Sequence, residues 1–405
     1  MVKPEDVGLS AKRLDRIRVY FEPYIDAGKV AGTLTLVARR GHVVYFEPQG
    51  YLELEHKRPM QRDTLFRIYS MSKPITSVAL MMLYEQGLVQ LDDPVHQFIP
   101  AWDDLQVFVR GHYPTFVTAP SERAMTLHDL LTHMSGLTYG SMERTHVDAA
   151  YRQLGVGDKT KRGYTLKDMV ETLSELPLEF SPGTRWNYSV STDVVGYLVE
   201  VLSGQRFDRY LHDHLFMPLG MHNTSFTVAD EQLVRFACNY QQLSDGRLQL
   251  IDGPDRSEYG ERTLYSGAGG LVSTAEDYFR FASMLQNGGA LDGVRLLSRK
   301  TIQLMTMNHL PGGQDLAHLD QSGQFTETAF SGAGFGLGSA VLLDPTRTQL
   351  LGTPGAYGWG GAASTTFWID PQEDLIIIFM TQLRPSSAYP WSRALRMLTY
   401  AALLD

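Results

Sequence analysis

The two ends of the chain carry the same pattern in mirror order, and this constrains the fold more than any other feature. Residues 10–26 space their apolar side chains as an amphipathic helix does, and residues 33–38 and 43–46 flank the polar turn Arg39-Arg40-Gly41-His42 as a β-hairpin. Near the other end, residues 365–369 and 375–380 are apolar, β-branched and aromatic runs joined by Asp370-Pro371-Gln372-Glu373-Asp374, and a last helix fits 391–404. The simplest closure is one antiparallel sheet built from both ends of the chain, with helices packed on it.

The middle of the chain reads differently. Residues 126–133, 166–176, 192–202 and 206–215 all have helical apolar spacing. The expectation is therefore an α+β fold with a discontinuous α/β lobe, residues 1–86 and 265–405, and a mainly helical lobe, residues 87–264, inserted into it. Two polar, Gly-rich stretches, 239–261 and 310–334, read as long loops of the kind that form lids or binding walls. A chain of 405 residues is long enough to bury a core of this size.

Composition excludes more than it selects. Hydrophobic residues at 43% and charged residues at 20% are those of an ordinary globular protein, and a net charge of -9 argues against nucleic acid as a partner. The single cysteine, Cys238, allows no intramolecular disulfide and is expected to pack as a small hydrophobe. No uninterrupted apolar run approaches 18 residues, and Met1-Val2-Lys3-Pro4-Glu5-Asp6 is not the start of a signal peptide, so the expectation is a cytoplasmic chain with no membrane partner. The sequence leaves the oligomeric state open. His128 with His133, and His212-Asp213-His214, match no zinc spacing, and there is no phosphate loop or dinucleotide fingerprint, so no metal or cofactor is expected. No Gly-x-Ser-x-Gly elbow supports a Ser-His-Asp triad.

Three segments carry chemistry instead. Ser70-Met71-Ser72-Lys73 opens a helix over 70–85 whose apolar side is Ile75, Val78, Ala79, Met82 and Leu83, and which Gly87 closes. Residues three apart on a helix are neighbours, so Lys73 reaches Ser70 while Ser72 points to another face. Pro74 fits the first turn, leaving Ser70 among free amides that favour a developing oxyanion. Tyr188 follows the Pro182-Gly183 turn on a loop just ahead of a helix, for which Ser191 is the expected N-cap. Trp359-Gly360-Gly361 precedes the strand at 365–369; its glycines permit close approach of a ligand to the backbone, and the indole offers an apolar wall. Ser-x-x-Lys alone is a spacing that chance supplies on the order of once in such a chain.

Taken together, Ser-x-x-Lys, Tyr-Ser-x and Trp-Gly-Gly resemble the serine β-lactamase-like family, closest to the family VIII carboxylesterases related to class C β-lactamases. The likeness extends to the segment from Thr126 to Leu137, to Pro218-Leu219-Gly220-Met221, to the segment from Gly267 to Asp277 and to Gly334-Phe335-Gly336-Leu337-Gly338. The resemblance implies a β-lactamase/transpeptidase-like fold and acyl transfer through a Ser70 acyl-enzyme. Lys73 and Tyr188 would share the proton transfers, with the assignment of the base left open, and the backbone N–H groups of Ser70 and Ala362 would form the oxyanion hole. Trp359, Gly360, Gly361 and Val190 would line the substrate site.

The departures from the lactamase pattern point to the substrate. Trp359-Gly360-Gly361 stands where the lactamases and peptidases have Lys-Thr-Gly, and Tyr188-Ser189-Val190 where they have Tyr-Ala-Asn or Tyr-Ser-Asn. One change removes a cation that would pair with a substrate carboxylate, and the other removes an amide that would bond an acylamino group. The expected function is a carboxylesterase acting on small-molecule esters with short- to medium-chain acyl groups. The alternatives are an acyltransferase using the same acyl-enzyme, a β-lactamase or D-Ala-D-Ala peptidase-type hydrolase, and a non-catalytic ligand-binding relative.

Overall fold

A computed structural model describes residues 2–320 and 331–405. Both ends of the chain do build one sheet. Helix α1 (Ala11–Asp26) is capped by the Ser10 hydroxyl, which accepts from the Arg13 N–H, and it leads into β1 (Gly32–Arg39) and β2 (His42–Glu53). Leu375–Met380 pairs antiparallel with β1, with Leu34 opposite Met380 and Leu36 opposite Ile378. The full sheet has eight strands in the order Ala333–Phe335, Ala340–Leu342, Tyr357–Gly360, Thr366–Asp370, Leu375–Met380, β1, β2 and Arg58–Pro59.

Every residue of β1 and of Leu375–Met380 is buried, because both faces of the sheet are covered. Val37, Ile377 and Phe379 face α1 and the terminal helix Trp391–Tyr400, where Phe379 stacks on Phe21 at 4.9 Å between ring centres. The alternate residues Leu34, Leu36, Ile376 and Ile378 join the larger core on the opposite face. There they meet the helix Ala275–Gln286, in the same core as helix α2 (Ser72–Glu85), which explains why the run at 375–380 is apolar at every position rather than at every second one.

The inserted segment supplies α3 (Leu127–Leu131), α4 (His146–Leu154), α5 (Leu166–Ser174) and α6 (Ser191–Ser203). The helix expected over 206–215 is Phe207–Leu211 continued by a π turn over His212–Phe216. Three features depart from expectation. Residues 239–261 are not a plain loop: Asn239–Gln242 and Leu248–Asp252 form a hairpin, and Leu383–Arg384 adds to it in parallel. Asn239–Gln242 is polar, and its backbone pairing with a segment far along the chain leaves no local signal. A second hairpin, Gln106–His112 with Thr115–Pro120, lies within the segment expected to be helical. Ser191 is the first helical residue of α6 rather than its cap, and Val190 stands at the N-cap without a side-chain bond.

Of the stretch expected as a loop over 310–334, residues 321–330 lie outside the described residues, and the part before them holds the short helix Leu316–Leu319. The two lobes remain a proposed division, with the hairpin at 239–252 hydrogen-bonded to the carboxyl-terminal part. Cys238 is buried, as expected of a small hydrophobe. Among the described residues no helix is long and apolar enough to cross a membrane.

Candidate active site

The nucleophile candidate stands on a short turn that is pinned from several sides. Phe66–Arg67 pairs with Val272–Ser273, and the Ile68 N–H donates to the Leu271 carbonyl at 3.1 Å. The Arg67 guanidinium is wholly buried, donates to Asp252 Oδ2 and to the Ala237 carbonyl at 2.6 Å each, and stacks 3.8 Å from the centre of the Phe236 ring. Tyr69 then takes a left-handed conformation, φ 42°, which is costly for a residue with a side chain. Tyr69–Met71 forms a 3₁₀ turn that runs straight into α2, so Ser70 sits two residues before the first residue of that helix. Ser72 does point elsewhere, and its hydroxyl accepts from the Leu271 N–H at 3.2 Å.

Lys73 is completely buried, and its Nζ lies 3.2 Å from Ser70 Oγ. It also donates to the Ala268 carbonyl at 2.7 Å and sits 4.5 Å from the centre of the Tyr188 ring. Burial is the main cause that pulls its pKa down from 10.5 to about 7; the like charge of Lys159 adds to this, and the Asp193 carboxylate opposes it. Asp193 is itself held by the Ser266 hydroxyl at 2.6 Å and the Ala268 N–H at 3.1 Å, so it fixes the turn that presents the Ala268 carbonyl.

Tyr188 reaches the same point from the other side. Its loop is held by the Asn187 N–H on the His133 carbonyl at 2.9 Å, by the Asn187 amide on the Leu137 carbonyl at 2.9 Å, and by a hydroxyl chain linking Ser135, Ser191, Ser189 and His133. The ring is flanked by Trp186, His133 and Tyr139. Burial, first of all, and then Lys73 drive the His133 imidazole far below its ordinary pKa, so the ring behind Tyr188 is neutral. Burial pushes the Tyr188 phenol well above its ordinary pKa, and hydrogen bonds with Ser70 and Trp359 only partly offset this.

Trp359 was expected to be a substrate wall, but it is 4% exposed and its indole N–H donates to the Tyr188 phenol oxygen at 3.2 Å. Its place in Tyr357–Gly360, opposite Phe367, aims it at the catalytic tyrosine candidate while one edge still lines the cleft. The glycine reading also changes. A Cβ on Gly361 would stand 2.5 Å from the Ile68 carbonyl and 2.2 Å from Thr365 Oγ1, so at this glycine the close approach is made by the nucleophile's own turn. Gly361 thus packs against the turn that carries Ser70, and Ala362, the next residue, lines the same cleft as Ser70. Among the described residues, neither the Ser70 nor the Ala362 backbone N–H has an intramolecular acceptor.

These groups gather around one cleft of about 1000 Å³, lined by Ser70, Tyr188, Val190, Trp359, Gly360, Gly361 and Ala362 among others. Every site residue singled out in the sequence except Lys73 contributes to its wall, and Lys73 lies immediately beneath it. Sequence reasoning missed Tyr139, Lys159, Asp193 and the carbonyls of Ala268 and Gly269. The glycine cluster 267–270 was visible as a match of pattern, whereas Lys159 sits on a polar loop with no periodic signal at all.

Other clusters are engaged structurally. His128 Nε2 and His309 Nδ1 lie 3.0 Å apart. Glu53, Glu55 and Cys238 place ligand-type atoms within 4.8 Å of one another, but Glu53 is paired with Arg58 and Glu55 accepts from the Tyr240 hydroxyl at 2.6 Å. Burial raises the Cys238 pKa to about 11, which keeps the thiol protonated at neutral pH.

Known proteins are similar to this chain over nearly its whole length. Protein Rv1367c of Mycobacterium tuberculosis is 34% identical over 376 residues, covering 92% of this chain and 90% of its own. Esterase EstB of Burkholderia gladioli is 30% identical over 417 residues, covering 98% and 96%. The solved structure of EstCE1, described as a hydrolase with promiscuous acyltransferase activity, superposes with a TM-score of 0.80 at 26% identity, covering 96% of this chain and 99% of that one. Residues 17–401 match the Beta-lactamase family, and the chain belongs to that family.

Proposed function

We propose that the protein is a serine carboxylesterase in which Lys73 is the base and Tyr188 the proton carrier. The observation that carries this reading is the position of Lys73, buried and 3.2 Å from Ser70 Oγ with its pKa lowered to about 7. A neutral amine is thus well populated at neutral pH, whereas the Tyr188 phenol, pushed upward by burial, is not ionised there. Lys73 Nζ takes the Ser70 proton as Oγ attacks the ester carbonyl carbon. The carbonyl π pair moves onto oxygen, which the N–H groups of Ser70 and Ala362 stabilise. When the intermediate collapses, Tyr188 gives its proton to the departing alkoxide and recovers one from the Lys73 ammonium. Water then attacks the acyl-enzyme by the same steps in reverse order, releasing the acid.

Trp359 supports an ester over a β-lactam. Its indole N–H satisfies the Tyr188 oxygen, and no cation occupies that position on the strand. The names of EstB and EstCE1 point to the same substrate class, and EstCE1 adds acyl transfer to an acceptor as the second reading. Small-molecule esters are the proposed substrates, and no cofactor takes part in this scheme.

The test is a panel of p-nitrophenyl esters from acetate to long-chain acyl, with one chromogenic cephalosporin, on wild type and on Ser70→Ala, Lys73→Ala and Tyr188→Phe. Turnover of the short and medium esters that disappears in Ser70→Ala and Lys73→Ala is the expected result. Efficient cephalosporin turnover with negligible ester hydrolysis would overturn the esterase reading. Product in place of acid on adding an alcohol or amine acceptor would favour the transferase.

A further inference from the structure

Three cations that the acyl-transfer steps do not use line the cleft; Arg152 is paired with Asp148 at 2.8 Å, which leaves Lys159 and Arg384. Lys159, on the loop between α4 and α5, donates to the Gly269 carbonyl at 2.8 Å and lies 5.8 Å from the centre of the Tyr69 ring. Gly269 follows Ala268, whose carbonyl holds Lys73, so the two lysines are anchored on adjacent peptide groups. Arg384 ends the strand Leu383–Arg384, is exposed, and lines the same cleft. Lys159 lies over the ring of Tyr69, the residue before the nucleophile, and Tyr69 and Arg384 share the wall of the same cleft.

Of the acidic groups that line the cleft, Glu143 is exposed to solvent, and the others are already committed. Glu258 pairs with Arg262 at 3.0 Å, Asp252 with Arg67 at 2.6 Å, Asp193 is taken by Ser266 and Ala268, and Asp158 accepts from the Thr160 N–H and hydroxyl at 2.9 and 2.7 Å. Among the described residues, neither Lys159 nor Arg384 has a carboxylate within ion-pair distance. An ammonium has three donors, and the structure uses one of those on Lys159. Burial is the main cause lowering the Lys159 pKa to about 8; the Arg262 and Arg384 charges add to it, the Glu258 and Asp193 carboxylates oppose it, and a bound anion would relieve it further.

We propose that the ester substrate carries a free carboxylate, bound between Lys159 and Arg384 while its ester carbonyl sits on Ser70. The inference rests on the hydrolase reading and narrows its substrate class to hemi-esters and other acid-bearing esters. It restores, from a different wall of the cleft, the carboxylate grip that the strand at Trp359 lacks. The Arg fork suits a carboxylate in two-point contact, and the lysine supplies a point charge.

The test compares p-nitrophenyl monoesters of dicarboxylic acids, from succinate to suberate, with the same esters methylated at the free acid. The quantity read is the ratio of kcat/KM for the acid to that for its methyl ester, in wild type, Lys159→Met, Arg384→Ala and Arg384→Lys. For at least one chain length the wild-type ratio should exceed about tenfold, the scale of a charge-assisted contact, and should shrink as ionic strength rises. Lys159→Met and Arg384→Ala should each bring the ratio toward unity, with Arg384→Lys in between. A wild-type ratio at or below one for every chain length, or a ratio unchanged in both variants, would overturn the inference alone. No Ser70-dependent turnover of either ester series would overturn the hydrolase reading, and this inference with it.

Discussion

Replacing Gly361 with alanine would drive a methyl group into the turn that carries the nucleophile. The added Cβ would stand 2.5 Å from the Ile68 carbonyl oxygen, two residues ahead of Ser70. Carbon and oxygen approach one another in proteins to about 3.3 Å, so the strand end and the turn must part by about 0.8 Å. The Thr365 hydroxyl, 2.2 Å from the same Cβ, can rotate away, but the Ile68 carbonyl is main chain and cannot. Oxyanion donors act at about 2.7–3.1 Å, so a displacement of that size takes the Ala362 N–H out of range, a loss worth about 100-fold or more in kcat. Overpacking should cost about 1–3 kcal/mol of stability as well. Steady-state kinetics on p-nitrophenyl butyrate, with a thermal melt on the same samples, separates the two effects. Ala362→Ser is the companion variant: it keeps the N–H and the strand position, and its kcat should stay within about threefold of wild type. A Gly361→Ala enzyme that is folded and keeps wild-type kcat would refute the placement of the oxyanion hole.

The remaining predictions concern the groups around Ser70. The Lys73 amine must be neutral to accept a proton, so kcat/KM should fall about tenfold per pH unit below an inflection near pH 7, the value to which burial lowers this lysine from 10.5. Because the unfolded chain binds that proton more readily between those two values, the contribution of Lys73 to stability rises with pH across the window, and Lys73→Met should abolish turnover yet melt higher at pH 7. Trp359→Phe keeps most of the ring but removes the N–H on the Tyr188 oxygen, and kcat should fall by about 2- to 13-fold, the equivalent of about 0.5–1.5 kcal/mol; an unchanged kcat would show that this bond does not serve catalysis. Arg67→Met leaves Asp252 without its buried partner and the Ala237 carbonyl without its donor, which should cost about 3–5 kcal/mol in denaturant unfolding.

Most of the frame was legible because it rests on local pattern. The hairpin turn at Arg39-Arg40-Gly41-His42 and the runs at 365–369 and 375–380 are short-range signals, and the sheet that joins them follows from burying their apolar faces together. The hairpin at 239–252 was not legible, because its first strand is polar and pairs with Leu383–Arg384 from the other end of the chain. At the site, Ser70 and Lys73 were readable from helical spacing, since three residues along a helix is a fixed distance. Trp359 was readable as a position but not as a role: nothing in a Trp-Gly-Gly segment says that the indole N–H will meet a phenol 171 residues away. Gly361 was read as making room for a ligand, while the molecule uses it to make room for the Ile68 carbonyl. Lys159 and Arg384 become neighbours in charge only through tertiary structure, and no spacing rule links them.

The central claim is that Ser70 carries the acyl group during turnover. Intact mass spectrometry on rapidly quenched samples with an activated p-nitrophenyl ester, followed by peptide mapping, tests it most directly. The expected result is one acyl adduct on the peptide containing Ser70, which appears within the first turnovers, clears as substrate is consumed, and is absent in Ser70→Ala. An adduct on a different residue, or a Ser70→Ala enzyme that still hydrolyses the ester at the wild-type rate, would contradict the account.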